Sequence, residues 1–184
     1  MTLVLASRSP QRRAILTQLG VPFVERPSDV EELVAGEPVA VARENALRKA
    51  RAAGAAGDEV VLGVDTIVAI EGEIWGKPAD AEAAAQTLRE LSGRTHTVIG
   101  GVALARAGAA PQTAIATTAV AFRELDDALI DWYVATGEWD GRAGAYAIQG
   151  RGAALVERID GDYLNVVGLP VATLLDLWPQ LLRS

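Results

Sequence analysis

A run in the first half of the chain, EVVLGVDTIVAI at 59–70, places the strongest limit on the possible folds. The run is almost entirely apolar and rich in β-branched side chains, which favour strands over helices. A strand with one face in water alternates apolar and polar residues, whereas a continuous apolar run is typical of a strand covered on both faces. The run therefore predicts the central strand of a sheet with other elements packed on each side.

Strand-like and helix-like segments alternate around this run. The patterns predict helices at 10–20, 37–54, 80–91, 126–137 and 170–182, and further strands at 2–6, 95–107, 112–125 and 154–159. The glycine-rich passage at 141–170 has no helical period before Ala153. This order favours an α/β fold, a mixed sheet flanked by helices, and we predict that residues 1–184 form a single domain.

Composition narrows the possible chemistry. The sequence has no cysteine and one histidine, His96, which excludes a disulfide framework, a thiolate metal site and a cysteine nucleophile. The formal net charge of −7 argues against a nucleic acid partner, although a small anion could bind where basic residues cluster. No export leader is recognised and no segment resembles a membrane span, so we expect a soluble cytoplasmic protein with no membrane partner.

Positive charge is concentrated where the first predicted strand meets the first helix, in LVLASRSPQRRAIL at 3–16. Ser9 is a good helix cap with Pro10 at the first helical position, which leaves backbone N–H groups facing outward. Arg12 and Arg13 lie at the positive end of the helix dipole, which disfavours cations, so they indicate an anionic partner such as a phosphate. The alternative is an ordinary capped helix with solvated arginines.

A carboxylate inside the central strand needs an explanation. Asp65 interrupts the apolar run, and a buried carboxylate is unfavourable unless it is paired, hydrogen-bonded or bound to a metal. Glu31 and Glu32 form a second acidic pair, which could equally be a solvated loop. Lys49 and Lys77 could be surface lysines on this evidence alone.

Other residues keep both a functional and a structural interpretation. His96 has no cysteine partners and is more often structural than a ligand in such a setting. Tyr146 and Gln149 could stack on and hydrogen-bond a nucleobase, or could simply pack the glycine-rich loop. The segment GEIWGKP at 72–78 lacks the spacing and the Ser or Thr of a P-loop, and GRG at 150–152 is not a dinucleotide fingerprint.

Seven ordered segments resemble the Maf family of nucleoside triphosphate pyrophosphatases, and the match runs essentially end to end. The segments are LASRSPQRR (5–13), SDVEE (28–32), ALRKARA (46–52), GVDTIVA (63–69), GKP (76–78), LSGRTHTV (91–98), and AGAYAIQGRGA with GDYLNVVGLP (143–153 and 161–170). The resemblance implies an elongated mixed sheet flanked by helices, as in inosine triphosphate pyrophosphatases, with a central ligand cleft. It also implies a homodimer and the hydrolysis of a nucleoside triphosphate to a monophosphate and pyrophosphate.

The same resemblance implies roles for individual residues. Asp65 would be the general base or a metal-linked carboxylate, and Glu32 would bind a divalent cation, Mg²⁺ or alternatively Mn²⁺ or Co²⁺. Lys49 and Lys77 would contact phosphates as part of the catalytic set. The implied substrate contacts are Ser7, Ser9, Gln11, Arg12, Thr66 and Gln149.

Substrate choice is implied by fewer residues. Gln149 and Thr66 resemble the subgroup that acts on dTTP and UTP, and a glutamine amide can both donate to and accept from a pyrimidine edge. Gln11 departs from the arginine usual in that subgroup, and Arg142 stands where a lysine is common, which keeps the charge but changes the donor geometry. The alternatives are a pyrophosphatase acting on 7-methyl-GTP and a nucleotide-sensing regulator of septum formation.

Overall fold

The computed structural model describes residues 1–183, and these residues form one mixed sheet of seven strands with six α-helices around it. The strands are β1 (Thr2–Leu5), β2 (Phe23–Glu25), β3 (Glu59–Ile70), β4 (Glu73–Trp75), β5 (Thr95–Arg106), β6 (Gln112–Phe122) and β7 (Val156–Asp160). The helices are α1 (Pro10–Gln18), α2 (Pro38–Ala53), α3 (Ala81–Leu91), α4 (Asp127–Val134), α5 (Tyr163–Val167) and α6 (Val171–Leu177). Short 3-10 turns occupy Ala143–Ala145 and Arg151–Leu155.

The strands lie in the order β2, β1, β3, β5, β6, β7, and β4 pairs with β3 outside this series. The strands β2, β1 and β3 are mutually parallel, whereas the pairs that join β3 to β5, β5 to β6 and β6 to β7 are antiparallel. The β5–β6 pair is the hairpin that the sequence predicts at 95–125.

The prediction that 59–70 is a central strand is confirmed, because β3 is buried along almost its whole length between β1 and β5. On one face Leu62 and Val64 join a core that includes residues of α1 and α6. On the other face Val61 packs against α2, and a side chain at Gly63 would collide with the backbone of that helix. The absence of a side chain at Gly63 therefore permits the close approach of α2 to the sheet.

One edge of β3 is open in the middle of the described chain, and this gap defines the site. β1 pairs with β3 only as far as Leu62, and β4 returns to the same edge of β3 only at Val68. Between them, at 63–67, the edge of β3 faces no strand in residues 1–183. Side chains that alternate between the two faces of β3 can therefore meet in one cleft at this edge.

Four short elements differ from the sequence prediction. β2, β4 and α5 were not predicted, because three to five residues are too few to show a period. β2 is held by pairing with β1, and α5 is capped by the Asp162 side chain, which accepts a hydrogen bond from the Leu164 N–H. The last helix ends at Leu177, five residues before the predicted end, since the residue before Pro179 is disfavoured in the helical region.

Candidate active site

A cleft of about 570 Å³ opens at the free edge of β3. This volume lies within the range typical of small-molecule sites. The lining comes from the β1 to α1 junction, the loop at 28–32, α2, β3, the turn after β4, β5, and the segments around 140–149 and 166–168. All ten residues predicted for the site line this single cleft: Ser7, Ser9, Gln11, Arg12, Glu32, Lys49, Asp65, Thr66, Lys77 and Gln149.

The centre of the cleft is an ion-pair group made by Glu32, Lys49 and Asp65. The Lys49 Nζ atom lies 2.6 Å from Asp65 Oδ1 and 2.8 Å from Glu32 Oε1. Lys49 and Asp65 are both buried, whereas the Glu32 side chain is 42% exposed. Asp65 is therefore paired, as a buried carboxylate inside a strand requires.

Asn45 is a fourth member of this group that the sequence analysis missed. Its Nδ2 atom donates to Asp65 Oδ2 at 3.1 Å, and its side chain also accepts from the Leu33 N–H and donates to the Leu33 carbonyl. Asn45 and Lys49 are four residues apart on α2, so they lie on the same face and both reach β3. A polar residue on the apolar face of a predicted helix, four positions before a lysine, was the signal available in the sequence.

The loop that carries Glu32 is held to the sheet through Asn45. Burial by itself would raise the pKa of Glu32, but the hydrogen bond and charge of Lys49, helped by the charges of Lys77 and Arg12, outweigh it and lower the pKa. Glu32 is thus ionised near neutral pH. Of the predicted acidic pair only Glu32 lines the cleft, since Glu31 lies outside the lining and contributes its carbonyl to Arg48.

Arg12 is buried at the N-terminal turn of α1 and makes three hydrogen bonds to neutral oxygen atoms. It donates to the Gly168 carbonyl at 2.9 Å, to Ser7 Oγ at 2.9 Å and to Thr66 Oγ1 at 3.1 Å. Burial lowers the pKa of Arg12, and the charges of Asp65 and Glu32 oppose this shift. The guanidinium remains charged, because arginine does not lose its proton in proteins.

The start of α1 agrees with the sequence prediction in position but not in every contact. Ser9 is the N-cap residue and Pro10 follows at the first position, but the Ser9 hydroxyl donates to Gln11 Oε1 at 3.0 Å instead of capping the helix. The prediction that Arg13 shares an anionic ligand with Arg12 is wrong. Arg13 points away from the cleft, where its guanidinium lies 3.5 Å from the Glu25 carboxylate.

The two ends of the cleft differ in character. We call the residues around Asp65 the charged end, namely Ser7, Arg12, Glu32, Lys49, Asp65, Thr66 and Lys77. We call the apolar group Val68, Val98, Tyr146, Val166 and Val167, which belong to one apolar cluster, the uncharged end. Asp140 and Arg142, from the loop before Tyr146, also line the cleft and are not part of this group. Gln149 follows Tyr146 in the same loop and is exposed at the cleft surface.

The donor set at the charged end is compatible with a divalent cation. Glu32 and Asp65 each place a carboxylate oxygen within 2.8 Å of the same Lys49 nitrogen, so the two oxygens are close to each other. No group of three or more His, Cys, Asp or Glu side chains suited to a metal occurs in residues 1–183. Mg²⁺ is commonly held by one or two carboxylates together with substrate phosphates, and two carboxylates in a phosphate-sized cleft fit that pattern.

The fold is shared with a solved structure. The structure of the Staphylococcus aureus Ham1 protein superposes with a TM-score of 0.50 and 17% sequence identity, covering 66% of this chain and 72% of that chain. The predicted fold class is confirmed: a mixed sheet of the inosine triphosphate pyrophosphatase type, with helices around it and a ligand cleft.

The family follows from the sequence comparisons. The family model described as Maf-like protein matches residues 2–181, so the chain belongs to the Maf family. The dTTP/UTP pyrophosphatase of Moorella thermoacetica is 53% identical over 180 residues, which are 95% of this chain and 92% of that protein. The dTTP/UTP pyrophosphatase of Pyrococcus furiosus is 42% identical over 178 residues, covering 95% of this chain and 93% of that protein.

Within residues 1–183, none of the helices combines the length and the apolar character that crossing a bilayer would demand.

Proposed function

We propose that this chain hydrolyses dTTP and UTP to the nucleoside monophosphate and pyrophosphate. Proteins named dTTP/UTP pyrophosphatase are 42–53% identical to this chain over almost its whole length. The observation that carries the proposal is the ion-pair group of Glu32, Lys49 and Asp65 beside the buried Arg12, which places carboxylates and cations together in one cleft. Cleavage of a phosphoanhydride needs an activated water and cations that neutralise charge on the leaving pyrophosphate.

The triphosphate would occupy the charged end. Arg12 offers a buried positive charge whose hydrogen-bond partners are neutral, so a phosphate oxygen would be its counter-ion. Ser7 and the backbone at the start of α1 would orient the phosphates, and Lys77 would add a second cation from the turn after β4. Lys49 would exchange part of its contact with Glu32 for a phosphate oxygen as the substrate enters.

Asp65 would hold and deprotonate the attacking water. Its Oδ1 and Oδ2 atoms are fixed by Lys49 and Asn45, so the carboxylate has a single orientation before substrate arrives. Glu32 and Asp65 are the residues that would hold Mg²⁺, or alternatively Mn²⁺ or Co²⁺. A bound divalent cation supplies charge neutralisation on the phosphates and lowers the pKa of water.

The nucleobase would occupy the uncharged end. Val68, Val98 and Tyr146 offer an apolar wall, and the Gln149 amide can pair with a carbonyl and an N–H of the thymine or uracil edge. A homodimer, a cytoplasmic location and the lack of nucleic acid partners are further parts of the proposal, and they rest on the family resemblance and the net charge.

The test is pyrophosphate release from dTTP, UTP, CTP, dCTP, GTP, ITP and 7-methyl-GTP with Mg²⁺, measured for the wild type and for Asp65→Asn. We expect dTTP and UTP to be the best substrates, and Asp65→Asn to lower kcat by about 1000-fold or more, because the carboxylate that accepts the proton is gone. Omitting the divalent cation should abolish turnover in the wild type.

Other outcomes identify the alternatives. Preference for 7-methyl-GTP would keep the hydrolase and overturn the pyrimidine choice, together with the role of Gln149. Nucleotide binding without pyrophosphate release would favour a sensor in septum formation over an enzyme.

A further inference from the structure

A buried polar pair lies behind the uncharged end of the cleft. His96 on β5 is 1% exposed, and its Nε2 atom lies 2.9 Å from the Tyr146 hydroxyl. Tyr146 is itself buried and lines the cleft. Because side chains alternate along a strand, His96 and the cleft residue Val98 face the same side of the sheet. The pair therefore connects the core to the wall of the proposed substrate site.

Three rings fix each other at this point. The ring centroids of His96 and Phe122 are 5.0 Å apart, those of Phe122 and Tyr146 are 4.9 Å apart, and those of His96 and Tyr146 are 5.4 Å apart. All three pairs meet edge to face. Such contacts favour defined ring orientations, so the tilt of the Tyr146 ring depends on both neighbours.

Only one of the two nitrogen atoms of the His96 ring has a hydrogen-bond partner within residues 1–183. Its Nδ1 atom is buried and has no hydrogen-bond partner within residues 1–183. Burial lowers the pKa of His96 to about 4, so the ring is neutral near pH 7. A leucine or phenylalanine would fill the same position on β5 without leaving a buried nitrogen unpaired. The bond to Tyr146 is the polar contact that distinguishes histidine from such an apolar residue here.

We propose that His96 is a positioning residue that holds Tyr146 in the orientation needed to form the nucleobase wall of the cleft. The inference rests on the proposed function, because it takes the uncharged end as the nucleobase site. Tyr146 lines the cleft together with Val68, Val98 and Val167, and this largely apolar lining suits a planar heterocycle. His96 does not line the cleft, so it acts on the substrate through Tyr146 alone.

Three variants test this role. Tyr146→Phe keeps the ring and loses the hydroxyl, His96→Leu removes the ring nitrogen that meets it, and His96→Gln restores an amide near the position of Nε2. We expect Tyr146→Phe and His96→Leu each to raise KM for dTTP about 5-fold with kcat within twofold, as the loss of one neutral hydrogen bond predicts. His96→Gln should recover most of the affinity. The double variant should resemble either single variant, because both remove the same bond.

Binding of a ligand that lacks a nucleobase distinguishes a loss of Tyr146 positioning from general damage to the cleft. Inorganic pyrophosphate should occupy the charged end alone, so its Kd by calorimetry should be the same in every variant. The Kd of dTMP should rise by about the same factor as KM. As a matched control, Thr87→Val removes a buried hydroxyl from α3 outside the cleft lining, where it donates to the Ala83 carbonyl. Thr87→Val should lower stability but leave KM and both Kd values unchanged.

Three results would overturn the inference. One is unchanged dTMP binding in Tyr146→Phe, and the other is an equal loss of dTMP and pyrophosphate binding. A wild type that binds pyrophosphate but not dTMP would also overturn it, since the nucleobase wall would then have no occupant. Failure of the proposed hydrolysis is a separate result, seen as no pyrophosphate release by the wild type, and the dTMP and pyrophosphate comparison still decides the role of His96.

Discussion

At the charged end of the cleft, side chains from α1, α2, β3 and the 28–32 loop are tied together by polar contacts of 2.6 to 3.1 Å. At the uncharged end, valines and Tyr146 meet by packing, and His96 adds one hydrogen bond. Burying charge is unfavourable unless each group has a partner, so the charged end must be assembled before substrate arrives. The uncharged end is shaped by packing, so small changes in ring orientation should alter affinity more than chemistry.

The two buried cations of the charged end differ in their direct partners. Lys49 has two carboxylate neighbours, whereas the hydrogen bonds of Arg12 end on neutral oxygens. Asp65 and Glu32 act on Arg12 only as more distant charges. A phosphate would supply the missing direct anionic partner. This difference between the two buried cations predicts that they respond differently to substitution.

Removing the Lys49 ammonium should have the largest effect. Lys49→Met leaves Glu32 and Asp65 facing each other without the cation, so we expect unfolding free energy at pH 7 to fall by about 2–3 kcal/mol, allowing for the partial exposure of Glu32. Pyrophosphate release should fall by about 1000-fold. Urea denaturation and steady-state kinetics measure the two effects. Arg48→Met is the matched control, because Arg48 pairs with Glu44 at the surface and should change stability by less than about 1 kcal/mol. Equal stability of the two variants would contradict this account of the charged end.

Replacing the Arg12 guanidinium with an ammonium group should have the next largest effect. Arg12→Lys keeps a positive charge but cannot reach Gly168, Ser7 and Thr66 together, so kcat/KM should fall by about 100-fold. Arg13→Lys is the control and should stay within about twofold, because the exposed Arg13 pairs with Glu25 away from the cleft. Full activity of Arg12→Lys would mean that charge alone, without the three-way geometry, is required.

Releasing the loop that carries Glu32 should have a smaller effect on kcat/KM. Asn45→Leu removes the bond to Asp65 and both bonds to the Leu33 backbone, so kcat/KM should fall by about 10-fold. Hydrogen exchange of backbone amides at 28–36 should accelerate in the same variant. The neighbouring Glu44→Gln should change neither quantity, and an unchanged exchange rate in Asn45→Leu would show that Asn45 does not hold the loop.

The buried His96 behind the uncharged end should make the free energy of unfolding depend on pH. Burial lowers the pKa of His96 from 6.5 to about 4, so between these values the unfolded chain binds a proton that the folded chain does not. The contribution is complete above pH 6.5 and declines as pH falls toward 4, with a slope of at most about 1.4 kcal/mol per pH unit. His96 is the single histidine of the sequence, so His96→Leu should show a flatter urea midpoint between pH 5 and 6.5 than the wild type. Parallel curves would contradict a buried neutral ring.

Much of the fold and the membership of the site could be predicted from the sequence. The apolar run of β3, the hairpin of β5 and β6 and the long helix α2 have periods long enough to be recognised, and all three are present. The ten site residues share one cleft, as the resemblance to the Maf family implied, although their individual roles stay predictions. Asn45 and the turn of Arg13 toward Glu25 were missed, because neither follows from the period of its own helix.

By itself the sequence determined where the strong elements lie, that β3 is covered on both faces, and that Asp65 requires a partner. Only the tertiary structure decided that the partners are Lys49 and Asn45, that Arg12 reaches a carbonyl 156 positions away, and that His96 meets Tyr146 instead of the substrate. Periodicity is a local property of the chain, because it reflects which face of one element is buried. The partner of a buried polar group depends on which distant segments the sheet brings to the same edge.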